Sequence, residues 1–121
     1  MILNLTQHAA TPDQVAAGVV EPRDKPAVCR LLTFDILPTR EAVAATALAL
    51  AAVVADHDLS GVMVGGAPYL MAPLQRAIEA LGRVITVLYA YSQRVISEAV
   101  QPDGSVRKTQ TFRHAGWVEA L

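Results

Sequence analysis

The segment from Leu59 to Leu81 constrains the fold more tightly than any other. Leu59 to Val64 is a short apolar run, Gly65-Gly66-Ala67-Pro68 breaks it, and Tyr69 to Leu81 then turns periodic before Gly82 ends it. A strand, a glycine turn and a helix in that order form most of a crossover unit, which belongs in a parallel sheet covered by helices.

The remaining segments can be read against that unit. Met1 to Leu5 is an apolar run that ends abruptly in Thr6, Gln7 and His8, as a buried strand does. Thr11-Pro12-Asp13-Gln14 has the spacing of a capping box with proline at the first helical position, and predicts a short helix to about Val19. Glu21 to Lys25, with Pro22 and Pro26 on either side of a charge cluster, reads as a surface loop, and Ala27 to Leu37 admits no assignment. Thr39 after Pro38 caps a helix running to about Asp56; being apolar almost all round, it is expected to be buried on more than one side. Arg83 to Tyr91 is β-branched and aromatic enough for a third strand. Arg94 to Val100 and Val106 to Phe112 flank Pro102-Asp103-Gly104-Ser105, a hairpin with Asp-Gly at its tip. The expected fold is α/β: a single Rossmann-like three-layer domain over residues 1–121, with a mainly parallel sheet and a C-terminal antiparallel β-hairpin.

Composition narrows the partners. Hydrophobic residues make up 53% and charged residues 17% of the 121, so apolar surface is left over for a partner subunit and a homodimer is expected. The net charge of -1 and the lack of a Lys/Arg run argue against long nucleic acid and leave room for a small anion. Cys29 is the only cysteine, which excludes an internal disulfide and a cysteine zinc site and fits a reducing cytoplasm. Ala42 to Ala55, the longest apolar stretch, is too short to span a bilayer, and no charged-then-apolar leader opens the chain, so a cytoplasmic protein without membrane contact is expected.

Ligands of open parallel sheets bind beyond the carboxyl ends of the strands, where helix N-termini gather. Three polar clusters fall at such ends: Asn4 to His8, Gly65-Gly66, and Tyr91-Ser92-Gln93-Arg94. His8 is a candidate proton-transfer group there, set against the plainer reading of a hydrogen-bonded loop histidine. Gly65 and Gly66 allow close backbone approach to a phosphate, although a tight strand-to-helix turn explains them as well. Ser92 and Arg94 offer a hydroxyl and a forked cation; Glu98 shares strand parity with Arg94, and a surface ion pair is its plainer role. His57, between Asp56 and Asp58 at a helix end, reads as structural, and His114 reads as a ribbon residue. The three scattered histidines make no metal motif.

In its strand-end residues Asn4 to His8, Gly65 to Tyr69 and Tyr91 to Arg94, the chain resembles the CARF-like (CRISPR-associated Rossmann-fold) ring nucleases and their mobile-element relatives. The resemblance implies a homodimer that binds a cyclic oligonucleotide, cyclic oligoadenylate, across its two-fold axis. It also implies cleavage of that second messenger of type III CRISPR defence without metal or other cofactor; a sensor or sequestering module that binds without cutting is the alternative. Carried over to this chain, it makes His8, Arg94 and Ser92 catalytic and Thr6, Gln7, Gly65, Gly66 and Tyr91 ligand-binding; Glu98 is added as ligand-binding by its strand parity with Arg94. The chain departs from the expected pattern in lacking a strongly basic pocket.

Overall fold

A computed structural model describes residues 1–120; Leu121, the last residue of the expected domain, lies outside the described residues. Strand β1 (Ile2–Leu5) pairs in parallel with β2 (Val19–Val20) on one side and with β3 (Gly61–Val64) on the other. β3 pairs in parallel with β4 (Thr86–Val100), and β4 pairs antiparallel with β5 (Val106–Glu119), giving the order β2-β1-β3-β4-β5. The molecule is therefore mixed α/β, with a mostly parallel sheet and a C-terminal antiparallel hairpin.

Every residue of β3 is buried, as a strand with apolar neighbours on both faces requires. Leu3, Leu5, Val62, Val64 and Val87 form the core with helices α2 (Lys25–Leu31), α3 (Arg40–Ala55) and α4 (Pro68–Glu79). By strand alternation Asn4 and its ladder neighbour Met63 point to the opposite face. Helix α1 (Pro12–Ala16) is short, and Gln14 is its buried residue.

Four expectations are corrected. The first helix stops at Ala16 rather than Val19, because Gly18 adopts a positive φ of 104° and releases Val19 and Val20 as an edge strand. The segment from Lys25 to Leu31 is helical, not a loop followed by an unassigned stretch: Asp24 accepts from the Ala27 N–H at 3.1 Å, and Pro26 sits in the first turn, where its missing donor costs nothing. α3 buries one face only, through Ala47, Leu50, Ala51 and Val54, while Leu48 stays exposed. Alanines on the outer face expose little area each, so apolar composition all round did not require burial all round. Finally, the third strand begins at Thr86 and runs unbroken to Val100, joining two segments that read as separate.

That continuity produces an arm. Val64 lies opposite Tyr89, so β4 continues eleven residues beyond the last rung of the parallel sheet, with β5 as its partner. β5 absorbs an irregularity beside Tyr91 and Ser92, where Gly116 takes a φ of 137°. The hairpin closes through a Gln101 N–H bond to the Ser105 carbonyl at 2.7 Å, with Gly104 at a φ of 86°.

Candidate functional site

β1 lies between β2 and β3, so the connection leaving β1 runs one way across the sheet and later ones run the other. Such a reversal opens a crevice at the carboxyl ends of the strands. A cleft of about 510 Å3 is found there, lined by Thr6, Gln7, His8, Gly65, Gly66 and Tyr89, among others. The volume lies within the usual range of small-molecule sites, roughly 300–1,000 Å3.

One buried amide shapes its first loop. Asn4 is 0% exposed. Its Nδ2 donates to the His8 carbonyl at 2.8 Å and to the Glu21 carboxylate at 2.9 Å, while its Oδ1 accepts from the Thr6 hydroxyl at 2.7 Å and the Thr6 N–H at 3.1 Å. Lys25 closes the loop from the other side, its Nζ donating to the carbonyls of Thr6 at 2.6 Å and His8 at 3.0 Å and pairing with Glu21 at 3.2 Å. The backbone of residues 6–8 is thus fixed while the His8 side chain stays exposed at the cleft.

Burial opposes the charged form of Glu21, but the Ala10 N–H, the Asn4 amide and Lys25 together hold its carboxyl below the ordinary glutamate value. A lowered folded-state pKa adds stability above the ordinary glutamate range and withdraws it as pH falls through the lowered value. Acid titration is therefore expected to loosen residues 6–10 first, and amide exchange at Thr6 and Ala10 measured across the acid range checks this; Glu21→Gln should flatten the dependence.

The second loop comes from β3. Gly66 has a φ of 152°, and a Cβ there would meet Leu32 Cδ2 at 3.5 Å and Met71 Cε at 3.6 Å. Space is adequate, so the requirement is conformational, and Gly66→Ala should cost about 1–2 kcal/mol through backbone strain. Denaturant unfolding measures it. Pro68 opens α4 directly after this turn, and no side chain caps that helix.

Of the residues singled out from sequence, Thr6, Gln7, His8, Gly65 and Gly66 come together at the cleft. Tyr91, Ser92, Arg94 and Glu98 stand on the arm, exposed and outside the cleft lining. Ser92 and Arg94 share strand parity with Ala90, which does line it. Arg94 faces Phe112 across the ladder, and Glu98 pairs with Lys108 at 3.7 Å rather than with Arg94. His57 is structural through two hydrogen bonds: its Nδ1–H donates to the Val53 carbonyl at 2.8 Å and its Nε2 accepts from the Arg23 N–H at 3.3 Å, the neutral tautomer that both partners require.

Several residues here had no readable pattern in the sequence. Gln14 lines the cleft, and its Nε2 lies 3.4 Å from His114 Nδ1, whose ring meets Trp117 edge-on at 4.7 Å. Glu21 and Lys25 act from behind the first loop, and Met63 and Tyr89 line the cleft directly. The i,i+4 spacing of Glu21 and Lys25 was the one available hint. Among the described residues no group of three or more His, Cys, Asp or Glu is placed to hold a metal ion, and no helix is long and apolar enough to cross a membrane.

The sequence profile described as the uncharacterized protein MJ1673 family matches residues 1–118. The chain belongs to that family. No curated protein and no solved structure matches it. The match to the MJ1673 family takes in β1 through to β5 up to Val118, and so every residue named at the cleft.

Proposed function

We propose that the cleft binds a cyclic oligonucleotide, of the cyclic oligoadenylate class, and that the protein cuts it as a metal-independent ring nuclease. The observation that carries the reading is the convergence of the Thr6–His8 loop and the Gly65-Gly66 turn on one cleft at the strand-order reversal. Backbone N–H groups near a glycine turn and a helix start suit phosphate oxygens, and the half-buried Tyr89 offers a face for a base. In this reading the fold is Rossmann-like, with α1 as a reduced third layer, and the protein works as a cytoplasmic homodimer.

Cleavage would follow the in-line route. A ribose 2′-oxygen attacks the adjacent phosphorus, the bond to the 5′-oxygen breaks, and a 2′,3′-cyclic phosphate and a 5′-hydroxyl result. His8 takes the proton of the 2′-hydroxyl and returns it to the departing 5′-oxygen. Arg94 stabilises phosphate charge and Ser92 donates a hydrogen bond, with Tyr91 and Glu98 further along the bound ring.

The second reading, binding without cleavage, is favoured by one observation: among the described residues no Lys or Arg lines the cleft. Incubation with cyclic tri-, tetra- and hexa-adenylate, in the presence of a chelator and read by chromatography, separates the two. Linear products with 2′,3′-cyclic phosphate ends support the nuclease; intact ligand retained by the protein supports the binder; free, intact ligand overturns both.

A further inference from the structure

We infer that the β4–β5 arm clasps the carboxyl edge of a second copy of this chain. The ladder pairs Arg94 with Phe112, Ile96 with Gln110, Glu98 with Lys108 and Val100 with Val106, and paired residues share a face. That face is both apolar and basic, and it is open: Phe112 is 71% exposed and Val100 76%. A two-stranded ribbon in water is marginally stable by itself, so fifteen- and fourteen-residue strands held this far from the sheet call for a surface to lie on.

Charge and shape name that surface. From Tyr91 to Arg113 the arm holds four of the ten basic residues and two of the eleven acids, a net +2, leaving six basic and nine acidic residues on the body, a net -3. On the body, at the edge from which the arm rises, the loop between α2 and α3 exposes Ile36 by 83% and Leu37 by 95%. They border a groove of about 530 Å3 that also takes in Phe34, Asp35 and Arg30, and exposed Arg40 and Glu41 follow in the first turn of α3. An apolar ribbon of net positive charge therefore meets an apolar groove on the net negative body of an identical molecule, which a two-fold axis can satisfy twice.

The area is sufficient. Ten residues at about 3.3 Å each and a width of about 10 Å give a ribbon face of about 330 Å2. Two arms and the surfaces they cover then bury about 1,300 Å2, inside the range of specific interfaces. The groove also adjoins the cleft, since Gln7 Nε2 donates to Thr33 Oγ1 at 2.8 Å, joining a residue of one to a residue of the other. An arm seated there carries Arg94 and Lys108 to the rim of a cleft that has no Lys or Arg of its own. This last step rests on the anionic ligand proposed above; the arm contact does not.

Sedimentation equilibrium without ligand tests the contact. The wild type should be a dimer at micromolar concentration. Replacing residues 94–112 by an Asn-Gly turn, which joins the paired Gln93 and Arg113, should give a folded monomer. Phe112→Glu should weaken the dimer about 30-fold or more. Should the shortened chain fail to fold, charge reversal decides: Arg94→Glu with Lys108→Glu, or Asp35→Lys with Glu41→Lys, should each weaken the dimer, and all four together should restore it. A monomeric wild type, a dimer indifferent to Phe112→Glu, or body reversals without effect, as contact between two arms alone would give, overturns the proposal. A dimer that binds no cyclic adenylate keeps the arm contact and removes the ligand, and a monomer that binds it does the opposite.

Discussion

Asn4→Asp is expected to lower the stability by about 3–5 kcal/mol at neutral pH and to move the cooperative thermal transition to a much lower temperature. The change adds one oxygen in place of one nitrogen, so packing is nearly untouched. It removes the donor that reaches Glu21 at 2.9 Å and puts a second carboxylate at that distance, one that is itself fully buried although the Glu21 side chain is 40% exposed. An uncompensated buried charge costs about 3–5 kcal/mol, against a total stability of about 5–15 kcal/mol for a domain of this kind. Asn4→Ala should be milder, at roughly 2–3 kcal/mol, because it leaves Thr6 and Glu21 short of partners without adding charge. The double variant Asn4→Asp with Glu21→Gln should recover part of the loss, since the repulsion is gone. If Asn4→Asp melts like the wild type, the amide does not organise the first loop.

If the protein is the proposed nuclease, His8→Ala carries the largest expected effect on cleavage. The imidazole is exposed at the cleft while its backbone carbonyl is held by Asn4 and Lys25, so the substitution removes the ring without disturbing the loop. Cleavage of a cyclic adenylate under single-turnover conditions should slow by roughly 10²–10⁴-fold with affinity nearly unchanged, the usual effect of removing a positioned acid or base. On the proposed nuclease reading, Arg94→Ala should weaken affinity and rate together, because a permanent cation placed on the phosphate would act in ground and transition states alike. A wild-type rate for His8→Ala returns that residue to the role of a loop histidine.

The cleft was partly legible in the sequence because two of its loops are polar stretches that end apolar runs. Thr6 to His8 and Gly65-Gly66 mark the ends of buried strands, and burial of both faces leaves a run that is easy to see. β2 is two residues long, and the one local signal before its valines is Gly18, which marks a helix stop without showing that a strand follows. Pro26 looked like a loop residue because proline breaks a helix everywhere except in its first turn. Ser92 and Gln93 read as a polar cluster ending a strand because the arm is exposed on both faces, so its strands lack the alternation that burial imposes. The bonds that shape the site were out of reach for another reason. Asn4 to Glu21, Lys25 to Thr6 and Gln14 to His114 join residues 17, 19 and 100 positions apart, and such pairings follow from topology rather than from neighbouring side chains.

The place of β1 at the centre of the parallel strands also sets a timetable. Ile2 pairs with Gly61, 59 residues later, so β1 is synthesised well before the neighbour that gives it a full ladder. At about 5–20 residues per second the wait is about 3–12 seconds. During that interval Val19 and Val20 are its only sheet partners yet made, two rungs on one edge. Asn4 meets Glu21 and Lys25 early in the same interval, so the loop that borders the cleft can close long before the sheet does.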